Sequence, residues 1–252
     1  MTIGIIEIIM LLMNHYFSKE FRIRVFGAGW WFYVLLTSLG LFLVTFFGRK
    51  LPYEERLRLI LILSIIELII LRLYKFSLKD IRSNYNYFNE LPCYLCNQST
   101  ILCIIAALAN DKHLMAFCII IGTLGAVLAF VMPDSYNNDQ LFYSKQAIGF
   151  YGYHGLLIIT CLSFYTLKVY EPDLKDALWN MFMIFLLASI AHVINFILRK
   201  SGLNKESNYI FTYHPDNIIL EKLYALFPVK LLYLLPIMPV FGLISLLALL
   251  AM

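Results

Sequence analysis

The chain has 252 residues, of which 61% are apolar and 14% are charged, and its mean hydropathy is +0.77. A soluble domain carries roughly 25% charged residues, so this composition excludes a water-soluble globular protein and predicts a polytopic α-helical membrane protein. The formal charge of +4 suits basic loops beside anionic lipid and gives no argument for a nucleic-acid partner.

The first twenty residues predict an arm that lies at the membrane surface. The run Ile3–Met13 is apolar but too short to span a bilayer, and His15 and Lys19 follow it. The run lacks the basic start and the small-residue cleavage site of a signal peptide. We therefore predict an interfacial helix within residues 1–20, and a single integral membrane domain over 1–252 whose helix bundle occupies residues 26–251.

Seven apolar runs follow the arm, and together they predict an all-α bundle of about seven transmembrane helices. The second run contains Arg58, Glu67 and Arg72; the arginines can reach the interface, whereas Glu67 would lie deep and needs a partner. The polar stretch 199–230 predicts a loop before the last helix. The predicted spans are Trp30–Phe47, Leu57–Leu71, Leu91–Ala109, Leu114–Met132, Ala147–Leu167, Ala177–Leu198 and Leu231–Ala251.

The basic residues of the loops predict the orientation of the bundle. Seven spans place the N-terminal arm on the same side as the loops Arg72–Glu90, Pro133–Gln146 and Arg199–Lys230. That side carries thirteen Lys and Arg residues, and the other side carries seven. The positive-inside rule then predicts a cytoplasmic N-terminus.

The cysteines do not form a disulfide framework. There are five, all of them in predicted spans, and free Cys in a core behaves as a small hydrophobe. The pair Cys93-x-x-Cys96 resembles a redox or zinc pair, but a single pair without a second pair or a paired His does not favour a metal site. No metal and no cofactor is predicted. The five are Cys93, Cys96, Cys103, Cys118 and Cys161.

Polar residues gather at one end of the predicted bundle, where they are costly unless they have a function or a partner. Cys96 lies near the start of the third span, with Pro92 suited to the first turn of that helix. His154 lies near the start of the fifth span, and His192 and Asn195 lie near the end of the sixth. At 1.5 Å rise per residue, Cys96 and His154 both lie on the order of 10 Å below the same surface.

A thiol and an imidazole at matched depth predict a nucleophile and its base, Cys96 and His154. A purely structural interpretation stays open beside it. An intramembrane His often forms a hydrogen bond between helices, and Cys is common in apolar cores.

At these residues the chain resembles a known family. The order and spacing of its motifs over 26–233 are similar to those of the YwaF-type bacterial integral membrane proteins and their vertebrate relatives, a group of transmembrane acyltransferases. The resemblance implies a fatty acyl chain carried between membrane phospholipids on Cys96, with His154 as base and acid, in the bacterial cell membrane. The motifs are LPCYLCNQS, VMPD (131–134), YHG (153–155), HVIN (192–195) and NYIFTYHPDN (208–217), followed by Phe227-Pro228.

Further residues are candidates for supporting roles. Donors for the developing oxyanion are Gln98, Ser99, His192 and Asn195, each of which could equally cap or bridge helices. Candidates for head-group binding are Tyr209, His214 and Asp216 in the basic loop, although Asp216 is also suited to capping the next helix.

Three alternatives to the acyltransferase remain open at this stage. An intramembrane lipid ester hydrolase would use the same dyad with water as acceptor. A lipid or small-solute carrier would line a pathway with Glu67, His154 and His192, and an accessory membrane protein would use its polar residues only to join helices. A homo-oligomer is compatible with the sequence but is not indicated by it.

Overall fold

The computed structural model describes residues 22–80, 85–133, 137–216 and 218–251, and these form helices and loops. Within these ranges there is no β-strand beyond an isolated bridge between Arg22 and Leu141. The helix Lys112–Val131 is continuous through a π-helical turn at Cys118–Gly122. We number the α-helices α1 Ala28–Gly48, α2 Tyr53–Ser77, α3 Leu95–Ala109, α4 Lys112–Val131, α5 Lys145–Thr166, α6 Leu174–Lys200, α7 Ile218–Leu226 and α8 Met238–Ala251.

A helix lies at each of the seven predicted spans, and five of these helices are long and apolar enough to cross a membrane. They are α1, α4, α5, α6 and Leu232–Leu249, in which a 3₁₀ turn leads into α8. Helix α2 has 25 residues but carries several charges, and α3 has only 15 residues. The all-helical membrane fold is therefore confirmed, whereas the count of seven spans stays a prediction. The predicted interfacial helix falls within residues 1–20, outside the described ranges, and the single-domain boundaries are likewise untested.

Helix α5 lies at the centre of the bundle. It packs against α1, α2, α3 and α4, and 61% of its candidate span is buried inside the protein. Only 11% of the α1 span is buried, and α1 exposes Leu39, Phe42 and Phe46 on its outer face. A helix that exposes large apolar side chains suits contact with lipid, so α1 is peripheral while α5 carries its polar residues into the interior.

Close packing of α2 against α5 depends on a small residue. A Cβ atom added to Gly149 of α5 would overlap the ring of Tyr74 in α2. Small residues at membrane helix interfaces let backbones approach closely. The tight approach brings polar residues of α2 and α5 together with those of α3.

The third helix begins later than predicted. Pro92 does not lie in its first turn; it lies in a loop, and α3 begins at Leu95. The hydroxyl of Tyr209 accepts from the amide of Leu91 at 3.1 Å, and the Cys93 amide donates to the Leu91 carbonyl at 2.8 Å. These bonds hold residues 91–93 in a non-helical turn.

The polar stretch 199–230 is only partly a loop. Helix α6 extends through Lys200, and the nine-residue helix α7 lies near the end of the stretch. Leu220 and Leu223 of α7 pack against the apolar core. A short amphipathic run of this kind forms a helix because its apolar face is covered.

Candidate functional site

A cavity of about 780 Å³ lies between α3, α4, α5, α6 and the segment leading into α8. This volume is within the roughly 300–1,000 Å³ of small-molecule sites. Its walls are mostly apolar, and polar groups line only part of it. The polar lining residues are Tyr74, Lys75, Asn89, Glu90, Tyr94, Asn97, Asn137, Tyr153 and His154, with the thiol of Cys96 among them.

Cys96 is the second residue of α3 and is partly exposed to this cavity. The N-cap residue, Tyr94, provides no side-chain cap, so the first-turn N–H groups of the helix lack intrahelical acceptors. Negative charge is stabilised at a helix N-terminus. On the facing helix α4, a Cβ added to Gly125 would lie 3.5 Å from the Cys96 sulfur. The thiol therefore lies beside the first-turn N–H groups of α3 and faces the cavity.

His154 of α5 lines the same cavity, and its tautomer is fixed by its own helix. Its Nδ1 lies 2.8 Å from the carbonyl oxygen of Phe150, one turn earlier. A carbonyl oxygen only accepts, so Nδ1 carries the proton and the lone pair of the neutral ring is on Nε2. The rings of Phe150 and Tyr153 pack against the imidazole at 4.5 Å and 4.7 Å between centroids. A proton acceptor is thus held rigidly in the cavity that contains the thiol.

An ion pair marks the polar end of the cavity. Lys75 Nζ lies 2.6 Å from Glu90 Oε2, with the side chains 19% and 4% exposed. Lys75 lies in the last turn of α2 and Glu90 precedes the LPCYLC motif, so the pair connects α2 to the loop that leads into Cys96. Sequence reasoning did not find it, although the adjacency of Glu90 to the cysteine motif was a usable signal.

The predicted oxyanion donors do not line this cavity. Gln98 and Ser99 follow Cys96 on α3 but are buried elsewhere, and the Ser99 hydroxyl donates to the Leu95 carbonyl of its own helix at 2.9 Å. Asn195 is fully engaged with the loop after α6, where it donates to the Tyr209 carbonyl and accepts from the Tyr209 amide. His192 lies 3.1 Å from Thr212 Oγ1 through Nδ1. These two residues hold the loop to α6.

The predicted head-group residues also lie away from the cavity lining. Tyr209 is buried, and its hydroxyl donates to the carbonyl of Phe88, so it connects the late loop to the segment before α3. Burial raises the pKa of the Tyr209 phenol. His214 and Asp216 are exposed. Partial burial, with the nearby cations Arg199 and Lys230, lowers the pKa of His214.

A fully buried polar network joins α2, α3 and α5 beside the cavity. The Thr100 hydroxyl is hydrogen-bonded to the Glu67 carboxyl and lies 3.0 Å from the Tyr153 hydroxyl. The Tyr153 hydroxyl in turn donates to Asn97 Oδ1 at 3.2 Å. The sequence indicated that Glu67 needs a partner, but the identities of Thr100, Tyr153 and Asn97 follow only from the packing.

The cysteines other than Cys96 are buried away from the cavity lining. The sulfur atoms of Cys103 and Cys161 lie 3.5 Å apart, with neither side chain accessible. In the described ranges, no three His, Cys, Asp or Glu side chains are grouped so as to hold a metal ion. Cys93, the other half of the C-x-x-C pair, is buried against α6 residues and Tyr209.

Comparison with known sequences identifies a family. The sequence model of the TMEM164 family matches residues 8–250, which is nearly the whole chain. Neither the curated proteins nor the solved structures contain a match. The chain, a bundle of apolar helices around a cavity with a thiol and an imidazole, belongs to the TMEM164 family of transmembrane proteins.

Proposed function

We propose that this protein is a membrane-embedded lipid acyltransferase, in which Cys96 is the nucleophile and His154 is the general base and acid. The observation that carries the proposal is that both residues line one cavity, with the lone pair of His154 on Nε2. An imidazole of this tautomer can accept the thiol proton, and the thiolate is the reactive form of Cys.

The cavity suits a phospholipid because it is lined by both polar and apolar side chains. The Lys75–Glu90 ion pair and several other polar side chains line part of it and suit a lipid head group. Apolar side chains such as Leu128, Ile184 and Phe241 line the remainder and favour an acyl chain.

The reaction has two halves that balance. His154 Nε2 takes the proton of Cys96, the sulfur bonds to the ester carbonyl carbon, and the ester C–O bond breaks. The leaving alkoxide receives the proton from His154, giving a lyso-lipid and an acyl-cysteine thioester. In the second half, His154 takes the proton of an acceptor hydroxyl, the acceptor oxygen bonds to the acyl carbon, and the thiolate leaves and is reprotonated.

The acceptor distinguishes the acyltransferase from a hydrolase, which would use water in the same second half. The carrier alternative has less support, because Glu67 and His192 do not line the cavity with His154. We also propose the finer features that the sequence predicts: a relation to the YwaF-type proteins, seven spans, a cytoplasmic N-terminus and the bacterial cell membrane.

The proposal is tested with purified protein, a phospholipid carrying an isotope-labelled acyl chain, and an unlabelled lyso-lipid acceptor. We expect label in the acceptor, loss of transfer in Cys96→Ala, and a decrease of about 10²–10⁴-fold in His154→Ala. The matched controls are Cys93→Ala and His192→Ala, which remove the same groups outside the cavity. Equal transfer in Cys96→Ala and Cys93→Ala would refute the proposal, and free labelled fatty acid alone would assign the hydrolase.

A further inference from the structure

The buried network beside the cavity requires a proton from one of its ends. Three contacts connect Glu67, Thr100, Tyr153 and Asn97 Oδ1 into one chain. The two hydroxyl groups supply only two protons. A further proton therefore comes either from a neutral Glu67 carboxylic acid or from the Asn97 amide, and the two cases orient the chain in opposite directions.

The surroundings of Glu67 favour the neutral acid. Its side chain is fully buried, its polar neighbours are the neutral hydroxyls of Thr100 and Thr160, and no Lys, Arg or His forms an ion pair with it in the described ranges. Burying an isolated carboxylate costs far more free energy than burying a neutral acid. A neutral Glu67 donates to Thr100, Thr100 donates to Tyr153, and Tyr153 donates to Asn97 Oδ1.

When the hydrogen bonds run in this direction, Asn97 accepts through Oδ1 and its amide N–H groups are not used by the network. Asn97 is the third residue of α3, next to Cys96, and it lines the cavity. The uncapped first turn of α3 adds backbone N–H groups at the same place. We propose that Asn97 is a catalytic oxyanion donor for the acyl transfer at Cys96, and that Glu67, Thr100 and Tyr153 are positioning residues that keep its N–H groups directed to the cavity.

The role of Asn97 rests on the proposed function: it stabilises the negative charge that develops on the ester carbonyl oxygen during acyl transfer. As the Cys96 sulfur bonds to the ester carbon, the carbonyl π electrons move to the oxygen, which becomes negative. The Asn97 Nδ2–H group donates to that oxygen and gives up no proton. The charge returns to form the thioester C=O bond as the ester C–O bond breaks. Removing one such donor costs about 10²–10³-fold in rate.

The first test is the single-turnover rate at which purified enzyme forms the Cys96 acyl adduct from a phosphatidylcholine substrate. We expect Asn97→Leu to lower the maximal rate by about 10²–10³-fold with little change in the half-saturating lipid concentration. The matched control is Gln98→Leu, which removes the neighbouring amide outside the cavity and keeps the wild-type rate. Melting temperatures of both variants exclude a loss of folded protein as the cause.

Two further variants test the positioning residues. Glu67→Gln keeps a neutral donor at the start of the chain, so we expect its maximal rate to stay within about threefold of wild type. Tyr153→Phe removes the hydroxyl that fixes Asn97, and we expect a loss of about tenfold in the maximal rate. A network that only joins helices would lower the stability of Tyr153→Phe and leave the rate of the folded variant unaltered.

The protonation of Glu67 has its own readout. Infrared difference spectra of wild type and Glu67→Gln should show a protonated-carboxyl stretch that is lost in the variant. No such band, or an Asn97→Leu variant that acylates at the wild-type rate, would overturn the inference while leaving the proposed function intact. No acyl adduct in wild type would instead overturn the proposed function, and the oxyanion assignment with it.

Discussion

Gly125 lies next to Cys96, so a larger side chain at Gly125 tests whether the Cys96 thiol reacts inside this cavity. Gly125 of α4 lines the cavity, and a Cβ added there would lie 3.5 Å from the Cys96 sulfur and 4.0 Å from Leu95 Cδ2. Both distances are ordinary van der Waals contacts, so Gly125→Ala should fold and keep its acylation rate within about threefold. Gly125→Leu adds three more carbon atoms beyond that Cβ, next to the thiol.

The magnitude follows from the geometry of attack. A reacting carbonyl carbon must come within about 3–3.5 Å of the sulfur, and a misplacement of about 1 Å costs on the order of 10²-fold. A leucyl group whose Cβ already lies 3.5 Å from Sγ occupies that approach. We expect Gly125→Leu to lower the rate of Cys96 acylation by about 100-fold or more.

The assay is the acylation rate of purified protein, with Gly152→Leu as the matched control. Gly152 lies on α5, outside the cavity lining, and a Cβ there meets no atom within 4 Å. Its variant should therefore fold and acylate as wild type does. A Gly125→Leu protein that acylates at the rate of Gly152→Leu would refute the assignment of this cavity as the place of reaction.

Three further predictions concern stability in detergent. Gly149→Ala should lower the free energy of unfolding by about 1–3 kcal/mol, because the new Cβ overlaps the Tyr74 ring; thermal melts that show no change would contradict the packing. Lys75→Met should lower the melting temperature, since it removes the 2.6 Å ion pair with buried Glu90, and a melt like that of wild type would show that the pair contributes nothing. The guanidinium groups that face Asp139 lower the pKa of its carboxyl; the stability they provide is present above the unfolded pKa and is lost as pH falls through the folded one. Asp139→Asn should therefore melt with less dependence on acid pH than wild type, and equal slopes would contradict this.

The fold class could be predicted because the length of each apolar run can be read directly from the sequence. Helices lie at all seven apolar runs, since a bilayer-crossing helix satisfies its backbone internally and needs only about 20 apolar residues. The start of α3 was wrong because the contacts that hold residues 91–93 come from Tyr209, more than a hundred residues later. Contacts with so distant a segment cannot be recognised from the residues around positions 91–93 alone.

The candidate site was predictable only in part, for a similar reason. Helical rise gives the depth of Cys96 and His154, and both line the cavity. Helical rise does not give the rotation of one helix against another, so Gln98 and Ser99 were favoured although Asn97, one position earlier, lines the cavity. Which residues of α3 face the cavity depends on how α2 and α5 pack against it.

The measurement that tests the central claim most directly is intact-protein mass spectrometry after incubation with mixed phospholipids at neutral pH. We predict a hydroxylamine-sensitive adduct of fatty-acyl mass in wild type and in Cys93→Ala, and no adduct in Cys96→Ala. An adduct that persists in Cys96→Ala would contradict the assignment of the nucleophile. A wild-type protein that forms no adduct and releases neither lyso-lipid nor fatty acid would contradict acyl transfer altogether.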